Sequence, residues 1–78
     1  MKKISPNVYL TRHARRRIKW RNISLEDVQE TLTHPDKVEY LPDERINAFK
    51  SIGKKLIRVT YSREERGIVV ISVVDKNK

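Results

Sequence analysis

A histidine and two arginines recur at four-residue intervals near the start of the chain, at His13, Arg17 and Arg21. In a helix of 3.6 residues per turn, this spacing places the three side chains along one flank. An imidazole can act as a general base, and neighbouring guanidinium groups can hold a phosphate and stabilise charge that develops on it. The pattern therefore indicates a phosphodiester site, in which His13 would take a proton from a ribose 2′-hydroxyl.

Each of these residues also has a structural interpretation, and the sequence leaves both open. A histidine at the start of a helix commonly packs or forms a hydrogen bond. Arg17 and Arg21 can instead pair with acids of the following segment, such as Glu26 or Glu30.

The stretch TRHARRRIKWRN, residues 11–22, carries six cations and no acid. Thr11 is suited to cap a helix and Asn22 to end it in the left-handed conformation. On this helix Ala14 and Ile18 share the face that would pack on a core. The cations on the opposite side are Arg12, Arg16 and Lys19, and we expect them to be solvated. Arg16 is also a candidate contact to nucleic acid.

The charge of the chain is strongly uneven along its length. Residues 26–44 hold seven acids and one base, which gives −6, and the whole chain carries +8. The remaining residues therefore sum to +14. A surface built only for solubility tends to intersperse its signs, so the segregation favours a polyanion such as nucleic acid as the partner.

Several classes of protein are disfavoured by composition. The chain has no cysteine, its two histidines lie 21 residues apart, and it has no glycine-rich phosphate loop. We therefore expect chemistry that uses no metal and no cofactor. The longest apolar run, Ile68–Ile71, is far below the ~20 residues of a membrane span, so we expect a cytoplasmic protein without a membrane partner.

The hydrophobic periods predict an α+β fold in a single domain, residues 1–78. SLEDVQETLTHP reads as a second helix, with Ser24 and Asp27 at capping-box spacing. The following segments KVEYL, RINAFKSI, KLIRVTYS and GIVVISVV are short and rich in β-branched residues, with brief connections between them. We expect two N-terminal helices packed on one face of a four-stranded antiparallel sheet, with the last strand central.

The predicted sheet contributes further cations that could contact nucleic acid. In KLIRVTYS, Ile57, Val59 and Tyr61 point to one face, and Arg58 and Thr60 to the other. This parity favours a core position for Tyr61, although its ring could also stack on a base. The cations that the strands and their turns could bring together are Arg45, Lys50, Arg58, Arg63 and Arg66.

Two sets of residues resemble known families. HARRRIKWRNIS fits the pattern H-A-x-x-R-h-x-x-R-x-I-S of a group of small prokaryotic domains of unknown function, and PDKV and GIVVISVV fit the same group. The likeness runs from about Leu10 to Val74. The segments ER, IG, IRVTYSRE and VVIS follow the order seen in the BrnT toxins, relatives of the RelE and ParE toxins. Ser72 matches the serine of the toxin motif ISAR, and Val74 stands where that motif has arginine.

The resemblance implies a RelE-like fold and a ribonuclease held in check by an antitoxin. It implies functional positions at His13, Arg17 and Arg21, and at Arg45, Tyr61 and Arg63. The first hypothesis is a toxin-like, metal-independent endoribonuclease that acts on RNA, including mRNA on the ribosome. The alternatives are a non-catalytic RNA- or DNA-binding module and a protein that binds an antitoxin-type partner. In the first hypothesis the catalytic residues are His13, Arg17 and Arg63, and the RNA-binding residues are Arg16, Arg21, Arg45, Lys50, Arg58 and Tyr61.

Overall fold

A computed structural model describes residues 2–77 of the chain. These residues form two helices and six strands. Neither of the two helices is long and apolar enough to cross a membrane. The elements are β1 (Lys2–Ser5), β2 (Val8–Leu10), α1 (Arg12–Arg21), α2 (Leu25–Thr33), β3 (Lys37–Tyr40), β4 (Ile46–Ile52), β5 (Lys55–Glu64) and β6 (Gly67–Asp75).

The sheet is six-stranded and mixed, in the order β1-β2-β6-β5-β4-β3. The expectation of a four-stranded, purely antiparallel sheet is therefore wrong. Strands β3 to β6 do form an antiparallel meander. Beside it, β2 pairs in parallel with β6, and β1 pairs with the outer side of β2. This addition makes β6 an interior strand, which agrees with its apolar residues on both faces.

The two extra strands lack a local signal that would reveal their partner. They are four and three residues long, and β2 pairs with a strand that begins almost 60 residues later. At their junction, the Ile68 backbone N–H donates to the Asn7 carbonyl at 2.7 Å. Gly67 permits this approach, because a Cβ on it would lie 2.3 Å from the same carbonyl oxygen.

Both helices pack on one face of the sheet, α1 against β6 and β2, and α2 against β5 and β4. Ala14 and Ile18 of α1 are buried, as the helical spacing predicted. Ile57, Val59 and Tyr61 are buried on the same side, which confirms the alternation read in β5. The hydrophobic core thus lies between the helices and this face.

The helix ends also follow from sequence. The Thr11 hydroxyl accepts a hydrogen bond from the Ala14 N–H, and Asn22 ends α1 with φ of 54° in the left-handed region. Ser24 and Asp27 form the predicted reciprocal capping box at the start of α2. These short-range contacts fix where each helix begins, independently of the sheet beneath it.

Candidate nucleic-acid interface

The start of α1 is bonded to the middle of β6. Ile71 bulges out of the pairing between β6 and β5. At this bulge the Thr11 N–H donates to the Val70 carbonyl at 3.1 Å, and its hydroxyl donates to the Ile71 carbonyl at 3.2 Å. One residue therefore caps the helix and joins it to the sheet, which fixes the position of the first turn, where His13 lies.

The far end of α1 is held as well. The Lys55 ammonium, at the start of β5, donates to the Asn22 carbonyl at 2.6 Å. The helix thus runs along the second half of β6, towards the turn between β4 and β5. Because both ends are bonded to the sheet, the side chains of α1 project from a fixed support.

One flank of α1 forms a pocket of about 210 Å³, lined by His13, Arg16, Arg17 and Trp20. We call it the α1 pocket. His13 and Arg16 are exposed, Arg17 is half-buried, and 78% of the Trp20 surface is exposed. The pocket therefore combines one imidazole, two guanidinium groups and an accessible aromatic ring, all from four positions within two turns.

The acids of α2 do not neutralise these cations. Among the side chains of residues 3–77 the ion pairs are His34–Glu30, Arg45–Asp43, Lys50–Asp36 and Arg66–Glu64, and none of them involves α1. The interpretation in which Arg17 and Arg21 pair with Glu26 or Glu30 is therefore not realised in the folded chain. The guanidinium groups of α1 are available to an external anion.

A helix with this composition is less stable than one with mixed charges. Like charges stand four residues apart at Arg12 and Arg16, at Arg15 and Lys19, and at Arg17 and Arg21, and no acid occupies the first turn. Each such pair destabilises a helix by about 0.2–0.5 kcal/mol, so the three pairs together cost about 1 kcal/mol. An anion bound along this flank would offset that repulsion.

Two arginines keep part of the side chain buried without a partner. The Nε atoms of Arg21 and Arg58 are buried and make no hydrogen bond to the described residues. Arg21 ends α1, next to the core side of the helix, and Arg58 lies on the opposite face of the sheet. The structure thus separates these two predicted RNA contacts onto two surfaces.

Arg45 is engaged locally. It lies just before β4, where its Nε donates to Asp43 Oδ2 at 2.7 Å. This hydrogen bond holds the pKa of the Asp43 carboxyl below its usual value, while the carboxylate raises the pKa of Arg45. Arg45 therefore already has an anionic partner, unlike the cations of α1.

The remaining predicted residues are dispersed. The Lys50 ammonium donates to the His34 carbonyl at 2.8 Å, and so helps to end α2. Tyr61 lies in the core with 6% of its surface exposed, so its ring is covered by neighbouring side chains. Arg63 is exposed near the end of β5 and does not line the α1 pocket. Only His13, Arg16 and Arg17 of the predicted set meet there.

Trp20 is the residue of this pocket that the sequence analysis did not include among the site residues. A signal was present, because the only tryptophan of the chain stands on a helix among arginines and off the Ala14–Ile18 face. A large exposed aromatic ring beside cations is suited to stack on a nucleobase whose phosphate the cations hold. Only the structure shows that this ring is exposed.

The arrangement in the α1 pocket suits a single-stranded phosphodiester. Arg16 and Arg17 can hold a phosphate, Trp20 can stack on a base, and His13 can move a proton at a hydroxyl beside that phosphate. Among the described residues, no three His, Asp or Glu side chains are grouped as metal ligands would be.

Comparison with known proteins gives one match. No curated protein matches the chain, and no solved structure does. A family described as a domain of unknown function, DUF4258, matches residues 10–75, which include α1, its pocket and all strands except β1 and the start of β2. The prediction of membership in a domain family of unknown function is confirmed at this level, and the chain belongs to the DUF4258 family.

Proposed function

We propose that the chain is a metal-independent endoribonuclease whose active site is the α1 pocket. The observation that carries the proposal is the grouping of His13 with Arg16, Arg17 and Trp20, in a helix whose cations form no ion pair within residues 2–77. The resemblance of the later strands to the BrnT toxins supports the same reaction class.

The reaction uses groups of the RNA for both nucleophile and leaving group. The His13 imidazole, acting as a general base, takes the proton of a 2′-hydroxyl, and the 2′-oxygen attacks the adjacent phosphorus. The bond from phosphorus to the 5′-oxygen breaks, which leaves a 2′,3′-cyclic phosphate and a 5′-oxygen that takes up a proton from the imidazolium or from water. Arg16 and Arg17 stabilise the charge on the phosphoryl oxygens.

The test is cleavage of a single-stranded RNA by purified protein in the presence of EDTA. We expect cyclic-phosphate ends, no cleavage of DNA of the same sequence, and a rate about 10²–10⁴-fold lower for His13→Ala. His34→Ala is the matched control, because it removes the other histidine, which pairs with Glu30 at the end of α2. Cleavage that survives in His13→Ala, or no cleavage by wild type, contradicts the proposal.

Binding at the same pocket is measured separately through Trp20. As the only tryptophan, it reports RNA at the α1 pocket by a change in fluorescence. We expect His13→Ala to retain this change, because the arginines and the indole remain. A retained change together with no cleavage by wild type would identify a non-catalytic RNA-binding module.

A second candidate function is the binding of a protein partner of antitoxin type. The observation that favours it is the exposure of Trp20 among cations that form no ion pair with the described residues, a surface that an acidic amphipathic segment could cover. Induced expression in a host distinguishes the two. If expression arrests growth and the His13→Ala substitution relieves the arrest, the ribonuclease is supported. If only co-expression of the product of an adjacent gene relieves the arrest, a toxin with its own protein partner is supported.

A further inference from the structure

The sheet face opposite the helices has its own organisation. Within residues 2–77 no helix covers it, and the strand register arranges its side chains in transverse rows, three of which form its centre. We call this surface the open face. Its three central rows are Lys37–Phe49–Arg58–Val74, Glu39–Asn47–Thr60–Ser72 and Lys3–Tyr9–Val69–Ser62.

Two cations lie near each aromatic ring of the open face. The Lys3 ammonium is 6.0 Å from the centre of the Tyr9 ring, and the Arg66 guanidinium is 5.4 Å from it. Around Phe49 the ammonium groups of Lys37 and Lys76 lie at 5.7 and 5.5 Å. Both rings are half-buried. Each site therefore offers an aromatic surface together with positive charge, as single-stranded nucleic acid requires.

Arg58 lies directly across from Phe49 on the neighbouring strand. Its Nε is buried and has no hydrogen-bond partner among the described residues. A buried donor without a partner lowers stability. The Arg58 side chain as a whole is only half-buried, so the charge of its guanidinium remains available to a ligand phosphate. Arg58 thus adds a phosphate position beside one of the two aromatic sites.

The middle row supplies polar groups between the aromatic sites. The Thr60 hydroxyl donates to the Asn47 side-chain oxygen at 2.6 Å, and the Asn47 amide donates to Glu39 at 3.2 Å. Ser72 is next to Thr60 on β6. Asn47 and Thr60 are buried and bonded to each other, whereas Ser72 is only half-buried. Its hydroxyl can exchange a hydrogen bond with a ribose 2′-hydroxyl, which favours RNA over DNA.

The separation of the two rings sets the size of the ligand. Tyr9 and Phe49 are three strand spacings apart, about 14 Å, and their rows differ by four residues along β5, about 13 Å. The rings are therefore about 20 Å apart along a diagonal of the sheet. A mononucleotide reaches one of them, whereas an oligonucleotide of several residues reaches both.

We infer that the open face binds single-stranded RNA, with bases stacked on Tyr9 and Phe49 and a phosphate at Arg58. This site is separate from the α1 pocket, which lies on the helical side of the sheet. The inference does not depend on whether that pocket cleaves RNA.

The first experiment measures the affinity of the full chain for a labelled single-stranded RNA of about 12 nucleotides by fluorescence anisotropy. We expect Tyr9→Leu and Phe49→Leu each to weaken binding about 5- to 100-fold, which is the range for loss of one stacked base. Tyr9→Phe and Phe49→Tyr keep an aromatic ring, so they should bind like wild type and show that the loss belongs to stacking.

The matched control is Tyr40→Leu, because Tyr40 is 75% exposed on β3 and lies on the helical side of the sheet. Its affinity should equal that of wild type. Heparin, a polyanion without bases, should bind Tyr9→Leu and wild type equally. RNA affinity that is unchanged in both leucine variants overturns the inference, as does equal affinity for DNA of the same sequence.

The two proposals fail in distinguishable ways. The Trp20 fluorescence change reports the α1 pocket, while anisotropy reports binding anywhere on the chain. Tyr9→Leu should lower the anisotropy-detected affinity and leave the Trp20 response at saturating RNA intact. If RNA causes no change in Trp20 fluorescence in wild type, the ribonuclease site is contradicted and the inference about the open face is unaffected.

Discussion

Replacing Arg58 by methionine should stabilise the folded protein while it weakens RNA binding. Arg58 is half-buried in the centre of the sheet, and its Nε is buried without a partner among the described residues. Leaving such a donor unsatisfied costs about 1–3 kcal/mol. Methionine has a similar unbranched shape and no polar nitrogen, and it adapts to irregular surroundings.

The expected gain in the free energy of unfolding is therefore about 1–2 kcal/mol, allowing for imperfect packing of the new side chain. A chain of this length has a total stability of about 4–12 kcal/mol, so the change is a measurable fraction. With a urea dependence near 1 kcal/mol per molar, the unfolding midpoint should rise by about 1–2 M. Circular dichroism during urea titration measures it.

RNA binding should change in the opposite direction. Loss of one phosphate contact lowers the slope of log affinity against log salt by about 0.7 for a single strand. Arg58→Lys is the control, because it keeps the charge and lacks the Nε, so the salt slope should stay close to that of wild type. A lower urea midpoint for Arg58→Met would refute the reasoning, since it would show that the guanidinium is satisfied in solution and stabilises the sheet.

Two further predictions concern the framework. Gly67→Ala should lower the free energy of unfolding by about 2–6 kcal/mol, because the backbone φ there is +128° and the added Cβ would lie 2.3 Å from the Asn7 carbonyl oxygen. Gly53→Ala, at +60° in open space, should cost only about 1–2 kcal/mol, and equal midpoints in urea for the two variants would show that the close approach is unimportant. NMR titration should place the Asp43 carboxyl pKa below 3.8, and Arg45→Gln should return it towards that value. Because the folded-state pKa is depressed, this pair contributes stability above about pH 3.8 that is lost as the pH falls through the folded-state pKa, and an unchanged pKa in Arg45→Gln would contradict the assignment.

Local features of the sequence predicted local features of the structure correctly. Thr11, Asn22 and the Ser24–Asp27 box mark the helix ends because capping depends on residues within one turn. Alternation in β5 identified which side chains enter the core, because period two follows from strand geometry alone. In the turn between the paired Ile52 and Lys55, Gly53 has φ of 60°, which glycine adopts without strain.

The candidate site was predictable in part. The spacing of His13 and Arg17 placed them on one flank, and the structure joins them in the α1 pocket. The position of Arg45 was less accessible from sequence, because its partner Asp43 belongs to the same loop, whose shape no periodicity specifies. Whether an arginine finds an acid depends on the shape of a loop for Arg45 and on the packing of whole elements for the arginines of α1, and charge counts along the chain do not contain that information.

The sequence by itself determined the helix ends, the inward faces of the strands and a cationic helix flank that carries a histidine. Only the tertiary structure decided that β2 adds in parallel to β6, that the acids of α2 leave the α1 arginines unpaired, and that Tyr9 and Phe49 share an open face. The physical reason is the separation along the chain of the residues that interact. Caps and alternation are set by neighbours a few residues apart, whereas these pairings join residues up to 60 positions apart, whose contact depends on how the complete sheet assembles.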